Sequence, residues 1–281
     1  MRTPSVSAFA RTVRVVLGSL VVLAFVAPHI ASAQDQTPAQ KWNLPYVPYE
    51  GQDGKDVVWV PTPETLVEKM LDIAEVRPGE TLIDLGSGDG RTVIAAARRG
   101  LVARGIEYNA DMVDYARKRA AEAGVTERAR FEKADIFETD FSDAQVITLF
   151  LLPSLNERLR SQILALKPGT RIVSNTFGMG DWPVDRMETV GDGCSAWCTA
   201  LLWVVPASVE GEWRMADRPL VLNQKFQLVD GRLGDRPISL GRVWGEDVTF
   251  VVDGVHYTGT VNGRTITGKT SDGGTWSAER S

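Results

Sequence analysis

The sequence predicts a doubly wound α/β fold with a mostly parallel sheet, followed by a small C-terminal antiparallel β module. Between Thr81 and Ser174, strand, glycine turn and helix alternate, which is typical of a parallel sheet with helices on both faces. Residues 145–152 form a long apolar run, as in a central strand buried on both faces. We expect the α/β domain to span residues 57–206 and the β module to span residues 207–281.

The elements of the first domain can be assigned in chain order. A first helix is predicted over residues 62–73, with Thr62 as its cap and Pro63 in its first turn. The following elements are a strand over 81–85, a helix over 91–99, a strand over 101–106, a helix over 110–123, strands over 129–132 and 145–152, a helix over 156–166 and a strand over 170–174. Residues 186–190 and 199–205 predict an antiparallel pair.

The predicted β module consists of short runs separated by turn signals that favour hairpins. The runs are LVLNQKFQLV, VTFVV, HYTGTV, RTITGKT and TWSAER. The turn signals are Asp230-Gly231, Asp253-Gly254, Asn262-Gly263 and Asp272-Gly273-Gly274. Five tryptophans are interpreted as packing residues rather than as a binding platform: Trp197, Trp203, Trp213, Trp244 and Trp276.

Residues 1–33 have the pattern of a secretory signal peptide. The segment carries arginines without acidic residues, then a short apolar run over 15–27, then a small-residue site ending at Ala33. We expect cleavage after Ala33, export to the periplasm, and no stable membrane span afterwards, because the apolar run is short for a transmembrane helix. The alternative is an uncleaved N-terminal membrane anchor.

Residues 34–56 are rich in Pro, Gly, Gln and Asp, which indicates a linker and then a segment laid over the following domain. Tyr46, Tyr49 and Trp59 precede the first helix. These aromatic side chains form either a lid over a binding site or the packing of this segment.

Cys194 and Cys198 are the two cysteines of the chain. Their three-residue spacer suits a disulfide across a hairpin better than a metal site, which would need more ligands. The bond would be allowed in an oxidising compartment. The alternative is two free, half-buried thiols.

Charge and histidine content exclude several classes of function. The chain has 31 basic and 36 acidic residues, a net charge of −5, and no basic stripe, so we predict no nucleic-acid partner. The two histidines are His29, in the predicted signal peptide, and His256, which is interpreted as an ordinary strand residue. A Ser-His-Asp hydrolase and a histidine-ligated metal site are therefore disfavoured, and no metal is predicted.

The main chemical motif is the segment Asp84-Leu85-Gly86-Ser87-Gly88-Asp89-Gly90-Arg91. It follows a predicted strand and begins a predicted helix, where glycines let the backbone approach a ligand and helix N–H groups face it. The glycine spacing is G-x-G-x-G, which differs from the dinucleotide fingerprint G-x-G-x-x-G.

Two acidic residues follow the next two predicted strands. Glu107 lies about twenty residues beyond the glycines, where a carboxylate accepts hydrogen bonds from ribose hydroxyls. Asp135 follows the third strand and can accept from an adenine amino group, with Ile136 on the ring face. The alternatives are a solvated strand end for Glu107 and a turn residue for Asp135.

With these motifs, residues 56–205 resemble the class I S-adenosylmethionine-dependent methyltransferases. The segments Val60-Pro61-Thr62-Pro63, DLGSGDGR and Phe150-Leu151-Leu152-Pro153 are similar to the ATP synthase c-subunit lysine methyltransferase family and its bacterial relatives. The resemblance implies a Rossmann-like seven-stranded sheet of order 3-2-1-4-5-7-6, in which strand 7 is antiparallel.

The same resemblance implies S-adenosyl-L-methionine as cofactor and assigns the residues that bind it. The cofactor-binding residues would be Asp84, Gly86, Ser87, Gly88 and Gly90 around the methionine and ribose, Glu107 on the ribose, and Asp135 with Ile136 on the adenine. Pro61 and Thr62 would line the entrance for cofactor or acceptor.

Four residues are candidates for the catalytic site: Thr62, Phe150, Leu151 and Asn175. The carbonyl groups of Phe150 and Leu151 are placed to hold an amine, although many amine methyltransferases have an Asn or Asp with prolines after strand 4. Asn175 and Phe177 follow the fifth strand, where an acceptor would enter. The alternatives are a purely structural strand for residues 150–153 and a turn role for Asn175.

The sequence therefore predicts a methyltransferase acting on a protein side chain, such as lysine, or on a small molecule. The second hypothesis is an exported binding or interaction protein that keeps the fold without catalytic turnover. A third is a cytoplasmic enzyme whose true start lies downstream. Oligomeric state is left open by the sequence.

Overall fold

The computed structural model describes residues 45–216 and 218–281. The predicted signal peptide, residues 1–33, lies outside the described residues. Within the described part of the chain, no helix combines the length and the apolar character that crossing a membrane requires. Two β-sheets and four helices are present in these residues.

The helices and the strands of the first sheet alternate along residues 64–204. The helices are α1 (Glu64–Ile73), α2 (Arg91–Arg98), α3 (Ala110–Glu122) and α4 (Pro153–Leu164). The strands are β1 (Thr81–Leu85), β2 (Val102–Glu107), β3 (Ala129–Lys133), β4 (Val146–Leu149), β5 (Arg171–Asn175), β6 (Arg186–Thr189) and β7 (Thr199–Val204). Their order in the sheet is β3-β2-β1-β4-β5-β7-β6, with β7 antiparallel to both neighbours, so the expected order is confirmed.

Helices cover both faces of this sheet because successive side chains of each strand point to opposite faces. On one face, Leu82 of β1 belongs to a core shared with α1, α2 and α3. On the other face, the next residue, Ile83, packs in a second core that includes Leu159 of α4. The doubly wound α/β class is therefore confirmed.

Three predicted boundaries near the carboxyl end of the sheet are wrong. Thr62 does not cap α1, because the cap position is Pro63, with an extended backbone and no side-chain cap. The predicted strand 145–152 ends already at Leu149, and α4 starts at Pro153 rather than at residue 156. Pro153 occupies the first turn, where its fixed φ favours a helix and its missing N–H costs nothing, and Phe150–Leu152 turn out of the sheet.

The C-terminal sheet is antiparallel and closes on itself. Its strands are β8 (Gly211–Met215), β9 (Arg218–Lys225), β10 (Leu228–Leu233), β11 (Arg236–Pro237), β12 (Ser239–Trp244), β13 (Asp247–Val252), β14 (Val255–Asn262), β15 (Thr265–Thr270) and β16 (Thr275–Arg280). Closure arises because β10 pairs with β9 as well as with β12. The interior is filled by apolar side chains, including Trp213, Phe250 and Ile266, so the predicted antiparallel module is confirmed.

One predicted turn in this module is wrong. Asp230-Gly231 lies inside β10, and the chain turns instead at Phe226, whose φ is 56°. Gly231 is needed for a different reason, since a Cβ there would lie 1.9 Å from the carbonyl oxygen of Val221 on the neighbouring strand. The run LVLNQKFQLV is therefore two strands, β9 and β10.

The tryptophan prediction is confirmed for three residues and wrong for two. Trp203, Trp213 and Trp276 are buried in the cores of the two sheets. Trp197 and Trp244 are exposed, with 43% and 41% of their surface accessible. Trp244 points outward because interior and exterior positions alternate along β12.

The C-terminal module is fixed to the first sheet through the hairpin between β9 and β10. Trp182, which follows β5, stacks on Phe226 with ring centroids 5.7 Å apart. Its indole N–H donates to Oε1 of Gln227 over 2.9 Å. The side chain of Asp185 is buried and bonded to Arg242, and burial raises the pKa of its carboxyl group.

Gly90→Ala is expected to lower the free energy of unfolding by about 2–5 kcal/mol. Gly90 has a φ of 80°, and a Cβ there would lie 2.6 Å from the Phe131 ring, so left-handed strain and overpacking add together. Urea unfolding measures the effect. Gly124→Ala is the matched control, because Gly124 has a φ of 69° and open space around it, so only about 1–2 kcal/mol is expected. Equal losses in both variants would contradict the close contact.

Candidate functional site

A pocket lies at the carboxyl ends of β1, β2, β3 and β4 and at the N-terminus of α2. Open α/β sheets bind ligands in this position, outside the carboxyl ends of their strands. Its walls include Asp84, Glu107, Asp135, Ile136 and Phe150. The structure thus brings residues from four separate strand ends into one cavity.

The glycine corner, defined as residues 86–90, contributes Gly86, Ser87 and Asp89 to the pocket lining. Gly86, Gly88 and Gly90 have φ values of 81°, 51° and 80°, all in the left-handed region that glycine tolerates best. The backbone N–H groups of Gly86 and Ser87 both donate to the carbonyl of Ile106 over 2.9 Å, which ties the corner to β2. The corner therefore has a fixed shape before any ligand arrives.

Glu107 is anchored by two backbone donors. Its carboxylate accepts from the N–H of Gly88 over 3.0 Å and from that of Asn109 over 2.9 Å. A carboxylate has about four acceptor positions, so acceptor positions remain for ligand hydroxyls. The alternative of a merely solvated strand end does not describe this side chain, because it joins the glycine corner to the start of α3.

Asp84 lies beneath the glycine corner and is buried. Its carboxylate accepts from Oγ1 of Thr148 on β4 over 2.7 Å. Burial raises the pKa of Asp84 to about 7, and the neighbouring charges of Asp89 and Glu107 act in the same direction. A cation placed above this carboxyl group would favour its ionised form.

Asp135 makes the predicted turn and also faces the pocket. Its Oδ1 accepts from the N–H of Phe137 over 3.0 Å, which is the interaction expected of a turn residue. Its other oxygen is bonded to the ammonium group of Lys55, and this interaction lowers the pKa of Asp135. Lys55 thus occupies the carboxylate to which the resemblance assigns the adenine amino group.

Of the three aromatic residues considered for a lid, Trp59 lies over the glycine corner. A Cβ on Gly88 would lie 2.3 Å from its Nε1, so the indole and the corner are in close contact. Hydrogen bonds of Trp59 to Gly51 and Gln52 hold its segment as a loop. Tyr46 instead packs edge-on against Tyr115, and Tyr49 is exposed.

Three of the four catalytic candidates, Thr62, Phe150 and Leu151, line the pocket, and Asn175 lies behind Thr62 outside the lining. Nδ2 of Asn175, fully buried at the end of β5, donates to Oγ1 of Thr62 over 3.3 Å. Phe150 lines the pocket, and Leu151 packs against Gly86. Asn175 also begins a turn, since its carbonyl accepts from the N–H of Phe177 over 2.6 Å, so the turn alternative stays open. Phe150–Leu152 lie outside β4, although Leu151 packs in the core.

Comparison with known proteins identifies the family. Residues 84–186 match the family described as ANTKMT methyltransferase domain. A protein-lysine N-methyltransferase of Saccharolobus islandicus is 40% identical over 153 residues, which is 53% of this chain and 89% of that protein. The chain belongs to the protein-lysine N-methyltransferase family. The ATP synthase c-subunit lysine N-methyltransferase of Rattus norvegicus is 35% identical over 64% of this chain and 74% of its own length.

A solved structure supports the methyltransferase fold and the cofactor. The RNA methyltransferase from Salinibacter ruber, in complex with S-adenosyl-L-homocysteine, is 45% identical, with a TM-score of 0.50 over 53% of this chain and 96% of that one. The chain is therefore an S-adenosylmethionine-dependent methyltransferase, and the fold and cofactor expected from the sequence are confirmed.

One buried polar atom beside the pocket of this methyltransferase has no partner among the described residues. Oγ of Ser87 is buried and has no hydrogen-bond partner among the described residues, which is unusual for a hydroxyl group. Gly88 is covered by the Trp59 indole, so the Ser87 hydroxyl is the observation here that favours a polar ligand.

Sequence reasoning missed three residues of the methyltransferase site. Arg91 donates to the Thr62 carbonyl over 2.8 Å and pairs with Asp89, so it locks the entrance to the glycine corner. Its place at the end of the DLGSGDGR motif was the available signal. Thr148, which donates to Asp84, was not predicted because it lies inside an apolar run. Lys55, which is bonded to Asp135, was not predicted because its segment has no periodic pattern.

Proposed function

We propose that this methyltransferase transfers a methyl group to the ε-amino group of a lysine side chain in a protein. The observation that carries the proposal is the match over 89% of the Saccharolobus islandicus protein-lysine N-methyltransferase, because a match of that extent includes a complete methyltransferase domain. The excess of acidic residues, with a net charge of −5, suits a basic acceptor segment better than a polyanion.

The bound cofactor is assigned to the pocket as follows. Asp135 and Ile136 take the adenine, and Glu107 takes the ribose hydroxyls. Asp84, Gly86, Ser87, Gly88 and Gly90 surround the methionine and ribose. The Phe137 N–H and Lys55 hold two of the about four acceptor positions of the Asp135 carboxylate, so the adenine amino group is assigned to a remaining position.

The chemistry is a direct transfer between two positioned groups. The cofactor supplies a methyl group on a sulfonium. The lysine ammonium first gives one proton to solvent, and the lone pair of the resulting amine then forms the C–N bond as the S–C bond breaks, so that the methylated ammonium and S-adenosylhomocysteine are the products. Most of the rate comes from alignment of the two groups. The carbonyls of Phe150 and Leu151, which belong to the pocket lining, aim the amine.

Transfer of label tests the acceptor class. Purified protein is incubated with methyl-labelled S-adenosylmethionine and an envelope extract, and labelled molecules are identified by tandem mass spectrometry. We expect label in methylated lysine of a protein. Label in RNA or only in small molecules would contradict the lysine proposal, and omission of the purified protein is the control.

We also propose that the chain is exported and that the signal sequence is removed after Ala33. The arginine-rich start, the apolar run over 15–27 and the small-residue site support this. The Cys194–Cys198 disulfide suits an oxidising compartment. Mass analysis of the N-terminus from fractionated cells is expected to find a periplasmic chain that begins at Gln34, and an intact Met1 in the cytoplasm would contradict export.

A further inference from the structure

Three aromatic rings form a cluster next to the cofactor pocket. The aromatic cluster is defined as Phe150, Phe177 and Trp197. Phe150 and Phe177 stack with ring centroids 5.9 Å apart, and Trp197 lies 5.2 Å from Phe177 and 6.2 Å from Phe150. The two phenylalanines are half-buried, and 43% of the Trp197 surface is accessible. The cluster therefore presents aromatic surface to solvent.

Trp197 is held in place by a closed loop. Cys194 and Cys198 are joined by a disulfide, which confirms the predicted bond. Trp197 is the residue before the second cysteine and has a φ of 57°, a left-handed conformation that bulky residues rarely adopt. Such a backbone persists only where the surroundings enforce it, and it is found most often at binding sites. The disulfide loop is the element that enforces it here.

Phe177 is held from the opposite side. Its carbonyl accepts from Oγ of Ser174 over 2.7 Å and from Nδ2 of the buried Asn156 over 3.1 Å. Thr176, the preceding residue, also has a left-handed φ, of 61°, and donates its N–H to the carbonyl of Thr199 over 2.7 Å. Phe177 is thus placed by hydrogen bonds of its own backbone and of Thr176, and Trp197 by the disulfide-closed loop.

Phe150 connects the cluster to the cofactor pocket, since it belongs to both. The assigned cofactor contacts run across the sheet from Asp135 after β3, through Glu107 at the end of β2, to Asp84 in β1. The next strand in that direction is β4, and Phe150 follows it directly. The aromatic cluster therefore lies beyond the methionine end of the assigned cofactor position, where the acceptor must approach.

We infer that the aromatic cluster is the acceptor subsite, which takes the ammonium group and methylene chain of lysine, and that the Cys194–Cys198 loop sets its shape through Trp197. This inference rests on the lysine acceptor of the proposed function. Aromatic faces attract cations, and the methylene chain of lysine packs on apolar surface while its charged end stays solvated. Trp197 is thus a specificity-determining residue for the cationic side chain.

A titration with small side-chain analogues tests the subsite without turnover. The probes are n-butylammonium and its neutral counterpart n-butanol, added to the 15N-labelled protein with S-adenosylhomocysteine present. We expect the indole N–H signal of Trp197 to shift saturably with the cation, and n-butanol to bind about 2- to 30-fold more weakly. Equal response to both probes would overturn the inference, as would a cation that shifts only other tryptophans.

Variants distinguish the contribution of the Trp197 ring to cation binding from that of the Cys194–Cys198 loop that carries it. Trp197→Ala is expected to weaken n-butylammonium binding about 2- to 30-fold, Trp197→Phe to retain most of it, and the double variant Cys194→Ser with Cys198→Ser to weaken it several-fold. Trp244→Ala is the matched control, because Trp244 is similarly exposed on β12. Affinity for S-adenosylhomocysteine should stay unchanged throughout. Unchanged cation binding in Trp197→Ala would overturn the inference.

Failure of the subsite and failure of the lysine proposal give different results. If lysine is methylated but Trp197→Ala leaves the KM for the protein acceptor unchanged, the subsite is wrong and the lysine proposal stands. If n-butylammonium binds at Trp197 but label appears only in RNA, the lysine acceptor is wrong, and with it the role assigned to the cluster. A raised KM at unchanged kcat in Trp197→Ala supports both.

Discussion

Glu107→Ala is expected to lower the affinity for S-adenosylmethionine by about 5- to 150-fold, or about 1–3 kcal/mol. The carboxylate is assigned to the ribose hydroxyls, and its loss leaves those groups unpaired in the pocket. It also removes the acceptor for the Gly88 and Asn109 N–H groups, so the glycine corner loses its link to α3. Isothermal titration of the purified protein measures the effect.

Glu132→Ala is the control for this substitution. Glu132 lies on β3, paired in register with Ile106 of the neighbouring strand, and its side chain is exposed near Arg104. Its removal is expected to leave cofactor affinity unchanged, because exposed ion pairs contribute little and this one lies outside the pocket lining. Equal affinities in both variants and the unaltered protein would reject the pocket assigned here.

Affinity for S-adenosylmethionine is expected to fall by about tenfold between pH 8 and pH 6. The pKa of Asp84 is raised to about 7, so the carboxyl group is ionised at pH 8 and mostly protonated at pH 6. A sulfonium cation binds best to the ionised form of Asp84. At pH 6, one unit below the pKa, deprotonating the carboxyl group costs about 1.4 kcal/mol, and this cost lowers the binding affinity about tenfold. S-adenosylhomocysteine lacks that charge, so its affinity should change less.

Stability should show the opposite dependence on pH. The folded-state pKa of Asp84 lies above the ordinary value of 3.8, so the folded protein holds this proton more tightly than the unfolded chain. The contribution of this proton to the free energy of unfolding is complete below about pH 4. It is lost as the pH rises through 7, and the loss is at most about 4 kcal/mol.

Asp84→Asn provides the measurement for both effects, since an amide does not titrate and keeps a hydrogen-bond acceptor for Thr148. Relative to this variant, the unaltered protein should lose stability to urea from pH 4 to pH 7 and gain cofactor affinity from pH 6 to pH 8. A constant difference between the two proteins across these ranges would show that Asp84 does not titrate there.

The fold was largely predictable because its signals are local. Strand β1 was predicted with its exact bounds, since Thr81–Leu85 is an apolar run followed directly by glycines. Strand β4 was predicted too long because Phe150–Leu152 continue its apolar run. In the structure these residues connect β4 to the helix that starts at Pro153. An apolar run alone does not distinguish a buried strand from a pocket wall, and tertiary contacts decide between them.

The cofactor pocket was also largely predictable, because the glycine corner, Glu107 and Asp135 each follow a strand in a fixed pattern. The residues on the acceptor side of the pocket were less predictable. Trp197 was assigned to packing because its place on the aromatic cluster depends on a disulfide loop and on Phe177, which comes from a distant strand end. Lys55 was missed because its contact with Asp135 spans 80 positions of the chain without any local pattern.

A crystal structure of the complex with S-adenosylhomocysteine tests the cofactor assignment most directly. The expected result is a ligand on the glycine corner, with ribose hydroxyls on Glu107, the adenine between Ile136 and the Asp135 carboxylate, and the sulfur directed toward Phe150. A ligand bound elsewhere on the protein, or one whose ribose does not reach Glu107, would contradict the account of this pocket.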